Sequence, residues 1–186
     1  MTGQANPRDG VIFVATGAGY LDLAQQAAQS LRDTNPGLSV DVFTDLVDDP
    51  GNAIFDQVHP VPSSHPRVKL ECFSKARFDR VLFLDCDVLV LAALGDLFQL
   101  TDRFALSIAH DVRRRSDLIK KGHGAQTPYA FPQMNSGVMV YRNDPEMAAF
   151  FSEWKRRYDA SREARDQISL KDLLWESDLR FYVLPP

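Results

Sequence analysis

The sequence predicts an α/β protein, a mostly parallel sheet with helices on its faces, and three observations carry that prediction. First, VIFVA (residues 11–15) is a short apolar run of strand length, and TGAG turns the chain directly after it. Second, Leu21, Leu23, Ala24, Ala27, Ala28 and Leu31 follow at helical spacing, until NPG (35–37) stops the helix. Third, SVDVFTD (39–45) alternates as a strand does. Strand, helix and strand at these lengths make a βαβ unit, and βαβ units build parallel sheets covered by helices.

The remaining elements follow in order. DDPGN is a turn, and FDQVHPV reads as a third short strand. Residues 68–78 are expected to form a helix that leads into the strand RVLFL (80–84), and 94–100 a short helix. FALSIAH (104–110) is a strand, followed by a long polar stretch from 111 to 133. GVMVY (137–141) is the next strand. In PEMAAFFSEWKRRY, the residues Met147, Phe150, Phe151, Trp154 and Tyr158 share one helical face. A last helix is expected over about 165–175, and RFYVL (180–184) closes as a strand.

Composition narrows the function classes. The chain has 186 residues, 45% hydrophobic and 25% charged, which suits one domain with a full core. A net charge of −4 gives no electrostatic reason to expect a nucleic acid partner. The amino terminus, MTGQANPRDG, reads as a polar tail (1–10) and not as a signal peptide, and no apolar run is long enough to span a bilayer. With two cysteines only, Cys72 and Cys86, a reducing cytoplasm is the expected location.

The chemistry concentrates at RVLFLDCDVLVL (80–91), where Asp85 and Asp87 interrupt a very apolar run. Ionised carboxylates at the edge of a core are costly unless something pairs with them. On an extended segment the two would face the same way, about 6.6 Å apart, with Cys86 on the opposite face. Oxygen ligands in such a pair suit Mg²⁺ or Mn²⁺, and the carboxyl end of a parallel strand is where open α/β sheets bind ligands. A metal bridging a phosphorylated ligand is the expectation. A second reading comes from D-x-D-x-V after an apolar strand, the pattern of haloacid-dehalogenase-type phosphatases, with Asp85 as nucleophile. Those enzymes carry the motif on their first strand, and here several elements precede it.

Four ordered motifs extend the reading. VATGAGYLDLAQQAAQSL, RVKLECFSKARFDRVLFLDCDVLVLAALGDLFQL, MNSGVMVYRND and ARDQISLKDLL together resemble retaining glycosyltransferases of family 8, the glycogenin-like nucleotide-sugar transferases. The resemblance spans about residues 11–185. It implies the GT-A fold, a Rossmann-like α/β architecture, as one nucleotide-sugar-binding domain over 11–186. It implies transfer of a hexose from a nucleotide sugar, UDP-glucose or UDP-galactose, to an acceptor it does not identify, with retention of configuration and with Mn²⁺ or Mg²⁺. By resemblance, Asp85 and Asp87 are the metal pair. Thr16 and Tyr20 hold the base and ribose, Lys69 contacts the donor, and Asn135, Ser136 and Glu163 line the donor sugar. Asp166 and Gln167 sit around the transferred group as the candidate catalytic pair.

The chain departs from that family in two places. Family members continue past the equivalent of LRFYVLPP into a segment carrying a histidine metal ligand, and none of His59, His65, His110 and His123 stands in that position. The expectation is a form that lacks the family's C-terminal segment. A module that binds sugar nucleotides without turnover is therefore an alternative. In TGAG, Gly17 and Ala18 replace an acidic or amide residue common in the family. The basic stretch RRRSDLIKKGHG (113–124) reads as a solvated loop.

Overall fold

The computed structural model describes residues 8–63, 65, 67–111, 127, 128, 130–161 and 163–185. The basic stretch 113–124, with His123, and the first seven residues of the polar tail lie outside these.

Seven strands form one sheet: β1 (Asp9–Ala15), β2 (Ser39–Thr44), β3 (Gln57–Pro60), β4 (Arg80–Leu84), β5 (Leu106–His110), β6 (Met134–Arg142) and β7 (Phe181–Leu184), in the spatial order β3-β2-β1-β4-β6-β5-β7. All neighbouring pairs are parallel except those made by β6, which runs antiparallel to both β4 and β5. Helix α1 (Ala18–Thr34) covers one face, and α2 (Lys69–Cys72), α3 (Pro145–Ser161) and α4 (Asp166–Glu176) cover the other. The continuous apolar run of β1 has its reason here. Val11 and Phe13 pack under α1, Ile12 packs under the other helices, and all three are fully buried.

The larger core lies beneath α2 to α4. Phe73, Phe83, Tyr141, Phe151 and Trp154 fill it, with Phe73 stacked on Trp154 at 5.8 Å and edge-on to Phe83 at 4.9 Å. Full burial of such rings is worth about 1.5–3 kcal/mol each. The buried polar ends are satisfied: Tyr141 donates to the Phe73 carbonyl at 2.7 Å, and Trp154 Nε1 donates to the Asp166 carbonyl at 2.9 Å. That second bond anchors the start of α4 to the core.

Two expectations are corrected. The helix over 68–78 is a single α turn, Lys69–Cys72, followed by a 3₁₀ turn, Phe73–Lys75. Val68, Leu70, Cys72 and Phe73 are all buried, a pattern without the polar stripe that a long surface helix needs. The strand carrying the aspartates stops at Leu84, so Asp85 to Asp87 form a turn beyond it. On β2, Asp41 is 1% exposed and takes a bidentate pair from Arg77 at 2.9 and 3.1 Å, with His59 Nε2 at 3.1 Å. Among the described residues no helix is long and apolar enough to cross a membrane.

Candidate active site

The chain leaves β1 in one direction, through α1 to β2, while β4 lies on the other side of β1. Reversals of this kind open a crevice at the carboxyl ends of the strands. A cleft of about 250 Å³ occupies that place. Val14 and Thr16 come to it from the end of β1, Tyr20 from α1, Arg67 and Lys69 from the α2 turn, and Asp85 and Asp87 from the turn after β4. Cys86, between the aspartates, also borders the cleft, with its side chain packed into the α1-side core. Its Sγ lies 3.3 Å from the Val14 carbonyl in the α1-side core, and burial pushes its thiol up to about 12.

Local backbone explains how each group is aimed. Gly17 caps α1 at φ 77° and ψ 156°, a combination essentially confined to glycine. That accounts for the missing acidic or amide residue in TGAG. The Gly17 N–H donates instead to Asp45 Oδ1 at 2.8 Å, from the segment after β2. Tyr20 is 62% exposed above this turn, a flat face open to the cleft. On the other wall, β6 carries an irregularity: Ile108 pairs with Met139, whereas the next residue, Ala109, pairs with Asn135. Residues 136–138 are thereby looped out of pairing with β5. Bulges of this kind re-aim side chains beside sites. Here it brings Ser136 to the cleft, and Asp85 N–H donates to the Gly137 carbonyl at 2.8 Å.

A continuous polar network results. Lys69 Nζ bonds Asp85 Oδ1 and Ser136 Oγ, both at 3.2 Å, and Ser136 Oγ donates to Asp166 Oδ2 at 3.0 Å. Arg67 Nε stands 3.6 Å from the other Asp166 oxygen, while its Nη2 donates to the Ala164 carbonyl at 2.9 Å. Asp166 is 4% exposed and held from several sides. Burial raises the Asp85 carboxyl above its usual range, with Lys69 working against that and the negative charges of Asp87 and Asp166 adding to it. Among the described residues, carboxylates thus outweigh cations around the cleft.

The structure brings together Thr16, Tyr20, Lys69, Asp85 and Asp87 as lining groups, and joins Ser136 and Asp166 to them through hydrogen bonds. Asn135 is exposed at the same wall, its Oδ1 accepting the Gly137 N–H at 2.8 Å. Glu163 and Gln167 are half-buried neighbours of Asp166 in the chain and do not line the cleft. Of the histidines, His59 pairs with Asp41 and His65 with Asp159, and His110 ends β5.

Sequence reasoning missed three residues. Arg67 carried no signal beyond its place before Lys69. Asp45 was readable only as the end of a strand. Gly137 had a signal, a glycine inside a strand, which often marks close approach. A Cβ there would lie 2.8 Å from Asp85 Oδ2 and 3.0 Å from Asn135 Oδ1.

As a donor set, Asp85 and Asp87 fit a hard divalent cation: two carboxylates in one cleft, one of them desolvated and against a glycine that leaves it room. Among the described residues no third His, Cys, Asp or Glu groups with them as a metal cluster.

Comparison with known proteins places this geometry. No curated protein matches the chain significantly in sequence. The glycosyltransferase GlyE of Streptococcus pneumoniae TIGR4 superposes with a TM-score of 0.62 at 18% identity, over 95% of this chain and 46% of GlyE. The galactosyltransferase LgtC, solved with donor and acceptor sugar analogues, gives 0.58 at 21% identity, over 94% of this chain and 72% of LgtC. The bifunctional glycosyltransferase WbbM gives 0.64 at 15% identity, over the whole of this chain and 40% of WbbM. At such identities these likenesses speak for fold, and the fold is of the GT-A type. The chain spans less than half the length of GlyE. The profile of one family, nucleotide-diphospho-sugar transferase, matches residues 67–186. That span takes in both aspartates and the whole β6 wall, and the match runs against Asp85 as a phosphatase nucleophile. Because it covers well over half of the sequence, the chain belongs to the nucleotide-diphospho-sugar transferase family.

Proposed function

We propose that this domain binds a UDP-linked hexose, glucose or galactose, and transfers the hexosyl group to an acceptor with retention, in the manner of family 8. One observation carries the reading: Asp85 and Asp87 share the cleft at the carboxyl end of β4, and among the described residues Lys69 is the one cation paired with Asp85. A divalent cation, Mn²⁺ or Mg²⁺, held by Asp85 and Asp87 would neutralise charge on the departing diphosphate.

The chain's own residues take the remaining tasks. Tyr20 offers the uracil a stacking face, and Thr16 lies beside it at the cleft. Lys69 is poised between Asp85 and Ser136, with its ammonium 5.3 Å from the Phe83 ring centre. From there it can meet a donor oxygen without losing its orientation. Asp166 is fixed by Ser136 and Arg67, so its negative charge is already in place where positive charge grows on the anomeric carbon. In the reaction the bond from that carbon to the diphosphate oxygen breaks, the acceptor hydroxyl oxygen forms the new glycosidic bond, and the hydroxyl proton passes to a diphosphate oxygen of the departing UDP. In this reading the two cysteines remain thiols, which suits a cytoplasmic protein.

Titration calorimetry with UDP in the presence of Mn²⁺ or Mg²⁺, and then with chelator, tests the reading. Metal-dependent heat is expected. Folded protein giving no heat with either metal contradicts it, and binding of UDP-glucose or UDP-galactose without release of UDP selects the non-catalytic alternative.

A further inference from the structure

The strand that presents Asn135 and Ser136 holds one polar side chain outside the network. Gln133 leads into β6, and its carbonyl accepts the Asp111 N–H at 2.8 Å. The regular pairing of His110 with Met134 and Ala109 with Asn135 therefore extends through this residue. Residues two apart on an extended strand face the same way. Gln133 accordingly shares a face with Asn135, while Met134 between them packs into the core beneath α3 and α4.

Gln133 is 4% exposed, and among the described residues neither its side-chain oxygen nor its side-chain nitrogen has a hydrogen-bond partner. A carboxamide so placed has given up water and gained nothing, a cost that Met or Leu of similar size would avoid. Its surroundings indicate what would complete its bonds. Asn135 on the same face lies against Asp85, because a Cβ on Gly137 would touch both of their side chains. The base-binding groups, Thr16 and Tyr20, come from β1 and α1 on the far side of β4. Gln133 therefore lies toward the sugar end of a bound nucleotide sugar. A carboxamide provides two donors and an acceptor, which complements a hydroxyl that both donates and accepts.

We propose that Gln133 reads a hydroxyl of the hexose on the donor and is a specificity-determining residue of this site. This rests on the nucleotide-sugar reading above. The test measures calorimetric affinity for UDP, UDP-glucose and UDP-galactose with Mn²⁺, on wild type and on Gln133→Met, together with each protein's thermal midpoint. The variant is expected to bind UDP within about twofold of wild type, to lose about tenfold affinity for a sugar nucleotide, and to melt higher. Should Gln133→Met fail to fold, the isosteric Gln133→Glu is read the same way for binding. Unchanged sugar-nucleotide affinity overturns the role of Gln133 while leaving nucleotide-sugar binding standing. Equal losses for UDP and the sugar nucleotides overturn it as well, because they indicate a distorted strand. Wild type that binds neither UDP nor UDP-sugar overturns this proposal and the function together.

Discussion

Two carboxylates, one within the sheet and one just past its edge, are treated in opposite ways. Asp41, on β2, is 1% exposed and saturated, with a two-pronged guanidinium from Arg77 and the ring of His59 around it. Asp85, past the end of β4, keeps 39% of its side chain open to a cleft, has one lysine at 3.2 Å, and faces the like charges of Asp87 and Asp166. The first arrangement is complete within the chain and serves the fold. Among the described residues the second is left short of positive charge, and we read that shortfall as the place of a cation and a diphosphate. A structural carboxylate is paired until nothing more is needed, whereas a ligand-binding one is kept partly unmet.

The comparison breaks or sharpens in four ways. The largest effect is expected at Asp41. Asp41→Asn leaves Arg77 without its charge partner and should destabilise the fold by about 3 kcal/mol, read from urea unfolding, with nucleotide affinity per folded molecule unchanged. Next comes Asp85→Asn. It should cost about a hundredfold in metal-dependent UDP affinity, roughly 2.7 kcal/mol, with a thermal midpoint no lower than wild type, since it removes a charge that burial disfavours. If the two variants exchanged these phenotypes, the distinction would fail. Third, Gly137→Ala places a methyl group against Asp85 and should weaken UDP binding by about tenfold while retaining the fold, as calorimetry and circular dichroism would show.

The smallest effect is acid dependence at the structural end of the sheet. Burial works against ionisation of Asp56, but the Val40 N–H and Arg32 prevail and hold its carboxyl below the usual 3.8. The stabilisation it gives is therefore complete above that value and disappears as pH falls through the lowered one. Asp56→Asn should flatten the acid side of the stability curve by roughly 0.5 kcal/mol, the modest worth of a part-exposed pair, measured as urea midpoints between pH 5 and 2.

Those same regions mark how far the sequence could be read. The run of β1, the spacing of α1 and the paired aspartates after β4 are local patterns, and each appears where it was expected. The family motifs named most of the lining groups, because those lie on short contiguous segments. What stayed hidden is non-local. Asp41 meets Arg77 across 36 residues, so the alternation of its strand could not reveal that it is buried. The antiparallel course of β6 depends on which strands become neighbours, and no window of β6 encodes that. The expected helix over 68–78 shortened because its apolar residues all turn to the core, which aims Arg67 and Lys69 at the cleft. Asp85 and Asp87 share that cleft from a turn and not from a strand, so the alternation argument gave the right pairing for the wrong local geometry.

Electron paramagnetic resonance of Mn²⁺ with UDP, comparing wild type with Asp85→Asn, tests the central claim most directly. The account predicts a protein-bound Mn²⁺–UDP signal in wild type that Asp85→Asn loses, while circular dichroism of the variant stays native. Equal signals from the two proteins would contradict it.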